Sequence, residues 1–396
     1  MKRIKRSFWV WCFGLFLVCG LSAQETSGDT LRVSLLTCSP GTEIYELFGH
    51  TALRVQDSAK GLDLVFNYGM FDYNAPFFIW RYVKGETDYE LGVEPFDYFV
   101  SSYSRRNSAV SEQVLNLTKE EKYALLEELT LNYRPENRVY RYNFFFDNCA
   151  TRPRVKIEKV IDGIIKYDGN VDIETFRSII HKYTGRNPWA QFGIDLCLGS
   201  DADREASPLE KLFVPSYLHD AFKRALIVPK EGDFKDLVIQ DNQLIASVGG
   251  EKSQYTGITP TECGLLLLLI VMGVSIYGVI RGYSFWGLDI VLFGAAGIIG
   301  LVLTFLAVFS EHPAVGSNWN LCVFQPFHLL FLPFYVIHAR KREKDYYHVA
   351  NFIVLTLFMI FMGVLPQKIN PAVLPLALCL WVRSGCYTLL TIDKWR

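Results

Sequence analysis

The sequence lacks an excess of charge of either sign. Lys and Arg number 40 against 41 Asp and Glu, for a net charge of −1 and a pI near 6.7. That balance gives no reason to expect a nucleic-acid partner. Paired cysteines are lacking too. The nine cysteines are scattered, and no two have CxxC or zinc-type spacing. A phosphate-binding glycine loop is also missing. Neither a metal nor a nucleotide cofactor is therefore expected.

What is present is unevenly spread. Residues 24–258 have ordinary globular composition, whereas residues 264–390 are mostly apolar. The first 23 residues read as a signal peptide: a basic KRIKR, an apolar FWVWCFGLFLVCG, then Leu21-Ser22-Ala23 before the cut. Leu21 fits a cleavage site poorly, so an uncleaved anchor is the alternative. A lipobox at Cys19 is disfavoured by Val18, which stands where a small residue is expected. The resulting division is 1–23 signal peptide, 24–258 periplasmic domain and 259–396 membrane domain, with GGEKSQYTGITPTE as a polar linker.

Five apolar segments, near 264–280, 287–308, 321–338, 349–365 and 372–390, approach the ~20 residues that span a bilayer. With residues 24–258 outside the cytoplasm, Arg281, the loop ARKREK (Ala339–Lys344) and the tail DKWR face inward. The loops EHPAVGSNWN and PQKINP face the periplasm. Basic residues thus concentrate on the inner side, which places the chain in a bacterial inner membrane.

Within the exported part, LRVSLLTCS, the stretch from His50, DLVFNYGMF and DYELGVEPF read as strands. TKEEKYALLEELTLNYRP reads as a helix capped by Thr118 with Glu121 three residues on. VYRYNFFFDNC reads as extended, with Phe144 to Phe146 as strand core or as a wall for an acyl chain. A helix is predicted from Thr151 to Ile165, with Pro153 in its first turn. DIETFRSIIHKYT is helical, NPWAQFGIDLCLGSDADREAS loop-rich, SPLEKLFVPSYLHDAFKRA partly helical, and LVIQDNQLIASVG a hairpin.

The chemistry centres on Cys149. A thiol at a strand-to-helix junction sits where backbone N–H groups and the helix dipole favour the thiolate. Acyl transfer through it needs a base and oxyanion donors. The oxyanion donors expected are its own N–H and its neighbours' at the helix start. Four of the seven histidines lie in or beside the apolar part, and His181 and His219 lie on charged helical stretches. His50, opening a strand just after Gly49, is the candidate base. A third residue should orient its ring. Asn67 is preferred over Tyr68 and Asp72, though Asn67 also reads as a turn residue before Gly69. Cys38 is a rival nucleophile, and a disulfide at Cys149 is the structural alternative.

His before Cys, with Gly49-His50 on an early strand and Asn148-Cys149 at a later helix, resembles the circularly permuted NlpC-type branch of the papain superfamily. Lecithin:retinol acyltransferase-like enzymes belong to that branch. A broader resemblance runs through CSPGTEIYELFGHTALRV, FNYGMFDY, YNFFFDNCATRP, NPWAQFGIDLCLG and EHPAVGSNWNLCVFQP. These are similar to the Bacteroides-type lipoprotein N-acyltransferase family, Lnb. The resemblance implies an α+β fold, a permuted papain-like periplasmic domain followed by an all-α membrane domain of about five helices. It also implies an activity: acylation of the α-amino group of a diacylglyceryl-cysteine lipoprotein. The partners expected are a phospholipid acyl donor and a lipoprotein acceptor. A peptidoglycan-directed cysteine peptidase or amidase, and a non-catalytic membrane assembly or sensor protein, are the alternatives.

Several further residues are candidates for substrate contacts. Arg54 and Arg152 flank the two motifs and suit a phosphate head group, although lone surface arginines are commonly just solvated. Asn148 adjoins the nucleophile. His312, Asn318 and Asn320 fall in a predicted periplasmic loop, where Trp319 suits an interfacial anchor. Glu43 and Glu46 suit a substrate ammonium or simply a solvated loop.

Overall fold

The computed structural model describes residues 29–72, 74–168, 172–246 and 255–392. The signal-peptide reading, the first six residues of the polar linker and the DKWR tail lie outside the described residues.

Alternating apolar residues build the first strands. They are β1 (Leu31–Cys38), β2 (His50–Asp57), β3 (Leu62–Met70), β4 (Asp88–Pro95), β5 (Val110–Leu115) and β6 (Val139–Arg141). A second, three-stranded sheet holds β7 (Gly163–Lys166), β8 (Leu226–Pro229) and β9 (Lys235–Asp236), and β10 (Val238–Ile245) returns to the first. The main sheet is antiparallel with order β10-β5-β1-β2-β3-β4-β6. The helices of this region are α1 (Phe78–Lys84), α2 (Phe96–Arg105), α3 (Lys119–Tyr133), α4 (Thr151–Val160), α5 (Phe176–Thr184), α6 (Pro188–Cys197) and α7 (Pro215–Arg224).

The period of two along β2 separates two cores. Leu53 and Val55 pack with Leu125 and Leu129 of α3, Ile157 of α4 and Phe222 of α7. Ala52, on the other face, packs with Phe99 and Tyr103 of α2. Thr118 and Glu121 form the expected capping box on α3, a device worth about 1 kcal/mol.

Beyond residue 258 come α8 (Pro260–Arg281), α9 (Trp286–Phe309), α10 (Phe327–Lys341), α11 (Tyr346–Phe361) and α12 (Val373–Ile392). By length and composition, five helical stretches there are able to cross a membrane. Their connecting loops at one end dock on the sheet-bearing part. Asn318 Nδ2 donates to Leu196 O (2.7 Å), Gln367 Nε2 to Leu198 O (2.9 Å) and Asn370 Nδ2 to Asp195 (2.8 Å). Both loops expected on the periplasmic side therefore lie at the same end as the sheet.

Four local readings are corrected. Phe144–Phe146 form a turn, not a strand. Asn143 and Asp147 exchange backbone hydrogen bonds, and Asn143 Oδ1 accepts from the N–H groups of Phe145 and Phe146, an Asx-type closure. The helix after Cys149 stops at Val160, short of the predicted Ile165. The stretch read as loop contains α6, begun by Asn187, whose side chain accepts from Ala190 N, and by Pro188. Over its described residues, 237–246, the predicted hairpin is a single strand, β10, paired with β5.

Candidate active site

His50 stands where it does because of the residue before it. Gly49 has φ +78°, and a Cβ there would lie 2.5 Å from the Cys38 carbonyl oxygen. Only glycine allows the chain to turn this tightly into β2, so His50 opens the strand directly opposite Cys38. Gly69, with φ +95°, sits at an irregularity in the β3–β4 pairing. A Cβ there would stand 3.7 Å from Cys149 Cβ and 3.9 Å from His50 Cε1. The cysteine and the histidine thus face a common space that Gly69 leaves open.

Cys149 reaches that space from the turn before α4. Asn148 shapes the approach. Its Oδ1 accepts from the N–H groups of Ala150 (2.8 Å) and Thr151 (3.0 Å). Its Nδ2 donates to the carbonyls of Phe144 (2.8 Å) and Phe213 (2.9 Å). The helix-start N–H groups expected to serve an oxyanion are therefore already used. The N–H groups that favour the thiolate are those of Thr51 and of Cys149 itself.

Electrostatics set the protonation of the pair. Burial disfavours a Cys149 thiolate, yet the charge and hydrogen bonding of His50, with the two N–H groups, bring its pKa below the ordinary thiol value. Burial likewise disfavours a charged His50, but the Cys149 charge, hydrogen bonding to Cys149 and the Asn67 bond raise its pKa above the ordinary imidazole value. Both directions favour a thiolate–imidazolium pair.

The ring is held from behind. His50 Nε2 donates to Asn67 Oδ1 at 2.5 Å, which leaves Nδ1 for the sulfur. Asn67 Nδ2 in turn donates to Glu94 Oε1 at 3.3 Å, which fixes the amide's orientation. Of the other candidate orienters, Tyr68 is a core residue whose hydroxyl donates to Asn132 (2.7 Å). Asp72 accepts from Asn74 N in an exposed turn. Among the described residues Cys149 and Cys38 are both free thiols. Cys38 is buried against Tyr103, and burial drives its pKa far above the ordinary value.

His50, Asn67, Gly69 and Glu94 line a cleft of about 1350 Å³, with Phe71 and Tyr103 among its aromatic walls. Of the residues expected to contact substrate, Glu43 and Glu46 line it, whereas Arg54, Arg152, Asn148, His312, Asn318 and Asn320 do not. Arg54 is buried between Asp63 (2.6 Å) and Glu112 (2.9 Å) and lies over the Phe96 ring. Arg152 pairs with Asp147 (2.6 Å) and stacks on Tyr140. Asn148 shapes its own turn, as above. His312 Nε2 donates to Tyr82 O (2.6 Å), and Asn320 Nδ2 donates to the carbonyls of Asp195 and Leu196. Each finds its partners within the protein because each lies where strands, turns or loops need a donor.

The cleft's own cations were not foreseen. They are Arg106, paired with Glu46 (2.5 Å), Lys182, paired with Glu174 (2.6 Å), and Arg186. Arg186 follows the end of α5, and nothing in its local sequence marks it.

Two family models match the chain. The Lnb N-terminal periplasmic domain matches residues 21–182, and the Lnb transmembrane domain matches residues 251–395. The first spans the whole Cys149–His50–Asn67 constellation and the second all five membrane-length helices. No curated protein matches the chain, and no solved structure does. A sheet-bearing periplasmic domain docked on five apolar helices, matched in both parts, makes the chain a member of the Lnb family.

Proposed function

We propose that this protein is a lipoprotein N-acyltransferase of the bacterial inner membrane, working through a thioester on Cys149. The observation that carries the reading is Cys149 facing His50, whose ring is held by Asn67 and Glu94, with His50, Asn67, Gly69 and Glu94 lining a large cleft. Family membership supports it from the side of the lipoprotein substrate.

In the first half-reaction the thiolate attacks an ester carbonyl of a membrane phospholipid. A C–S bond forms and the ester C–O bond breaks. The departing alkoxide takes the proton from the His50 imidazolium and leaves as a lysophospholipid. The Thr51 and Cys149 N–H groups face the carbonyl oxygen as it gains charge. In the second half-reaction the neutral α-amine of a diacylglyceryl-cysteine lipoprotein attacks the thioester. A C–N bond forms, the C–S bond breaks, and the amine's proton passes to neutral His50, restoring the ion pair. This is ping-pong acyl transfer. Asn67 and Glu94 hold the ring without touching the reacting atoms.

Mass spectrometry of lipoprotein N-terminal peptides tests the reading in cells whose only copy of the protein carries Cys149→Ser. Loss of the third acyl chain is the expected result; fully triacylated peptides would overturn it. Cleavage of muropeptides by the purified wild-type protein would instead favour the peptidoglycan amidase.

A further inference from the structure

The helix α1 is built the wrong way round for a surface in water. Its sequence, FIWRYVK after Phe77, buries no residue. It presents Phe77 at 82% exposure and Ile79 at 77%, with Trp80 and Tyr82 also exposed. A surface helix in water normally turns such residues inward. Its cations do not offset this, because Arg81 pairs with Asp88 (2.5 Å) and Lys84 with Glu86.

The position of α1 explains its composition. The Trp80 ring packs on Phe305 of α9, with centroids 5.0 Å apart. Val83 packs against the core of the membrane bundle. Glu311 N donates to Lys84 O (2.8 Å), and the Ser310 hydroxyl donates to Val83 O (3.0 Å). Phe305 lies four residues before the end of α9 at Phe309, about 6 Å below it along the axis. The last turn of α9 exposes Val308 (65%) and Phe309 (61%), surfaces that a bilayer covers. Through Trp80 on Phe305, α1 adjoins that surface within the last two turns of α9.

From α1 a row of rings leads into the cleft. Phe78 stacks on Phe71 (5.9 Å), and Phe71 packs on Tyr89 (5.0 Å) and Tyr45 (6.4 Å). Phe71, Tyr89 and Tyr45 line the cleft together with His50 and Gly69. Tyr255, five residues before α8 begins at Pro260, lines it as well. The cleft thus borders two segments that adjoin the membrane helices.

We propose that α1 inserts into the periplasmic leaflet, and that the row Phe78–Phe71–Tyr89 guides a phospholipid acyl chain from that leaflet to Cys149. The path rests on the acyl-transfer reading; the insertion of α1 does not.

The test uses the full-length protein in liposomes of phosphatidylethanolamine and phosphatidylglycerol. Photoreactive p-benzoylphenylalanine replaces Ile79, in the wild-type and the Cys149→Ser backgrounds. A phospholipid adduct on the peptide carrying residue 79 is expected in both. No lipid adduct, or crosslinks to protein alone, overturns the insertion. The path is read with Ile79→Glu and Phe77→Glu, two exposed positions where a charge spares the fold but opposes insertion. Thioester formation on Cys149 from liposomal phospholipid should fall about tenfold or more, while acylation by a soluble p-nitrophenyl butyrate stays unchanged. Unchanged rates with phospholipid, or equal losses with both donors, overturn the path. If the wild type forms no thioester with either donor, the acyl-transfer reading and the path fall together, and the crosslink alone decides α1.

Discussion

Two buried thiols stand near the start of β2, and their surroundings push their pKa values in opposite directions. Cys38, at the end of β1, is paired in register with His50, yet its surroundings are the Tyr103 hydroxyl and apolar side chains, and burial pushes its pKa far up. Cys149, at the turn into α4, is also buried, but it faces the His50 ring and two backbone N–H groups, and its pKa falls. Burial alone makes a thiol inert, whereas burial beside a matched cation makes it a nucleophile. Nearness to a histidine in the strand register is not enough; the sulfur has to meet the ring.

The largest expected break in this symmetry comes from exchanging the two sulfurs for oxygen. Cys149→Ser should lower thioester formation by about 10⁴-fold or more, while Cys38→Ser stays near wild type. Stopped assays with a fluorescent phospholipid read both. Comparable losses would mean that the two thiols act together.

Removing the cation should come next. His50→Ala is expected to slow acyl transfer about 10²–10⁴-fold. It should also move the pH midpoint of Cys149 alkylation upward past the ordinary thiol value, because the burial penalty stays while the opposing charge is gone. In the wild type the sign is the reverse. Cys149 has a lowered pKa and His50 a raised one, so both shifts favour the ion pair, the first by moving its acid limit down and the second by moving its alkaline limit up. Iodoacetamide labelling followed by peptide mass spectrometry should show Cys149 reacting on the acid side, where Cys38 does not.

A smaller effect is expected behind the ring. A hydrogen bond to a charged group contributes about 1.5–3 kcal/mol, so Asn67→Ala should cost about 10–100-fold in kcat/KM and lower the His50 pKa seen by NMR titration. Asn67→Asp should retain more activity, since a carboxylate still accepts from Nε2. Glu94→Gln acts one residue further out. It should cost about fivefold or less, in line with about 1 kcal/mol for an ordinary hydrogen bond.

Much of this comparison was legible in the sequence. His50 directly after Gly49 announced the opening of a strand, and Pro153 announced the first turn of the helix behind Cys149. Strand-like stretches, alternating in β2 and apolar in β1, placed β1 to β4, and the long apolar runs placed the five membrane-length helices. What stayed hidden depends on the partners a residue meets in three dimensions. Arg54 and Arg152 read as free cations until Asp63, Glu112 and Asp147 arrive beside them. The N–H groups of Ala150 and Thr151 read as oxyanion donors until the Asn148 side chain takes them. The N–H of Thr51 carries no sequence signal at all, since every residue but proline has one. The helix α1 was overlooked because seven residues are too few for periodicity to speak.

On the proposed reading, Cys149 carries the acyl group. Intact full-length protein, incubated in phospholipid liposomes with no lipoprotein acceptor and digested at mildly acidic pH, tests it directly. One fatty-acyl mass increment is expected on the peptide containing Cys149, released by hydroxylamine and lost on adding a diacylglyceryl-cysteine peptide. An acyl group on Cys38, or an unmodified Cys149 in protein that still acylates the added peptide, would contradict it.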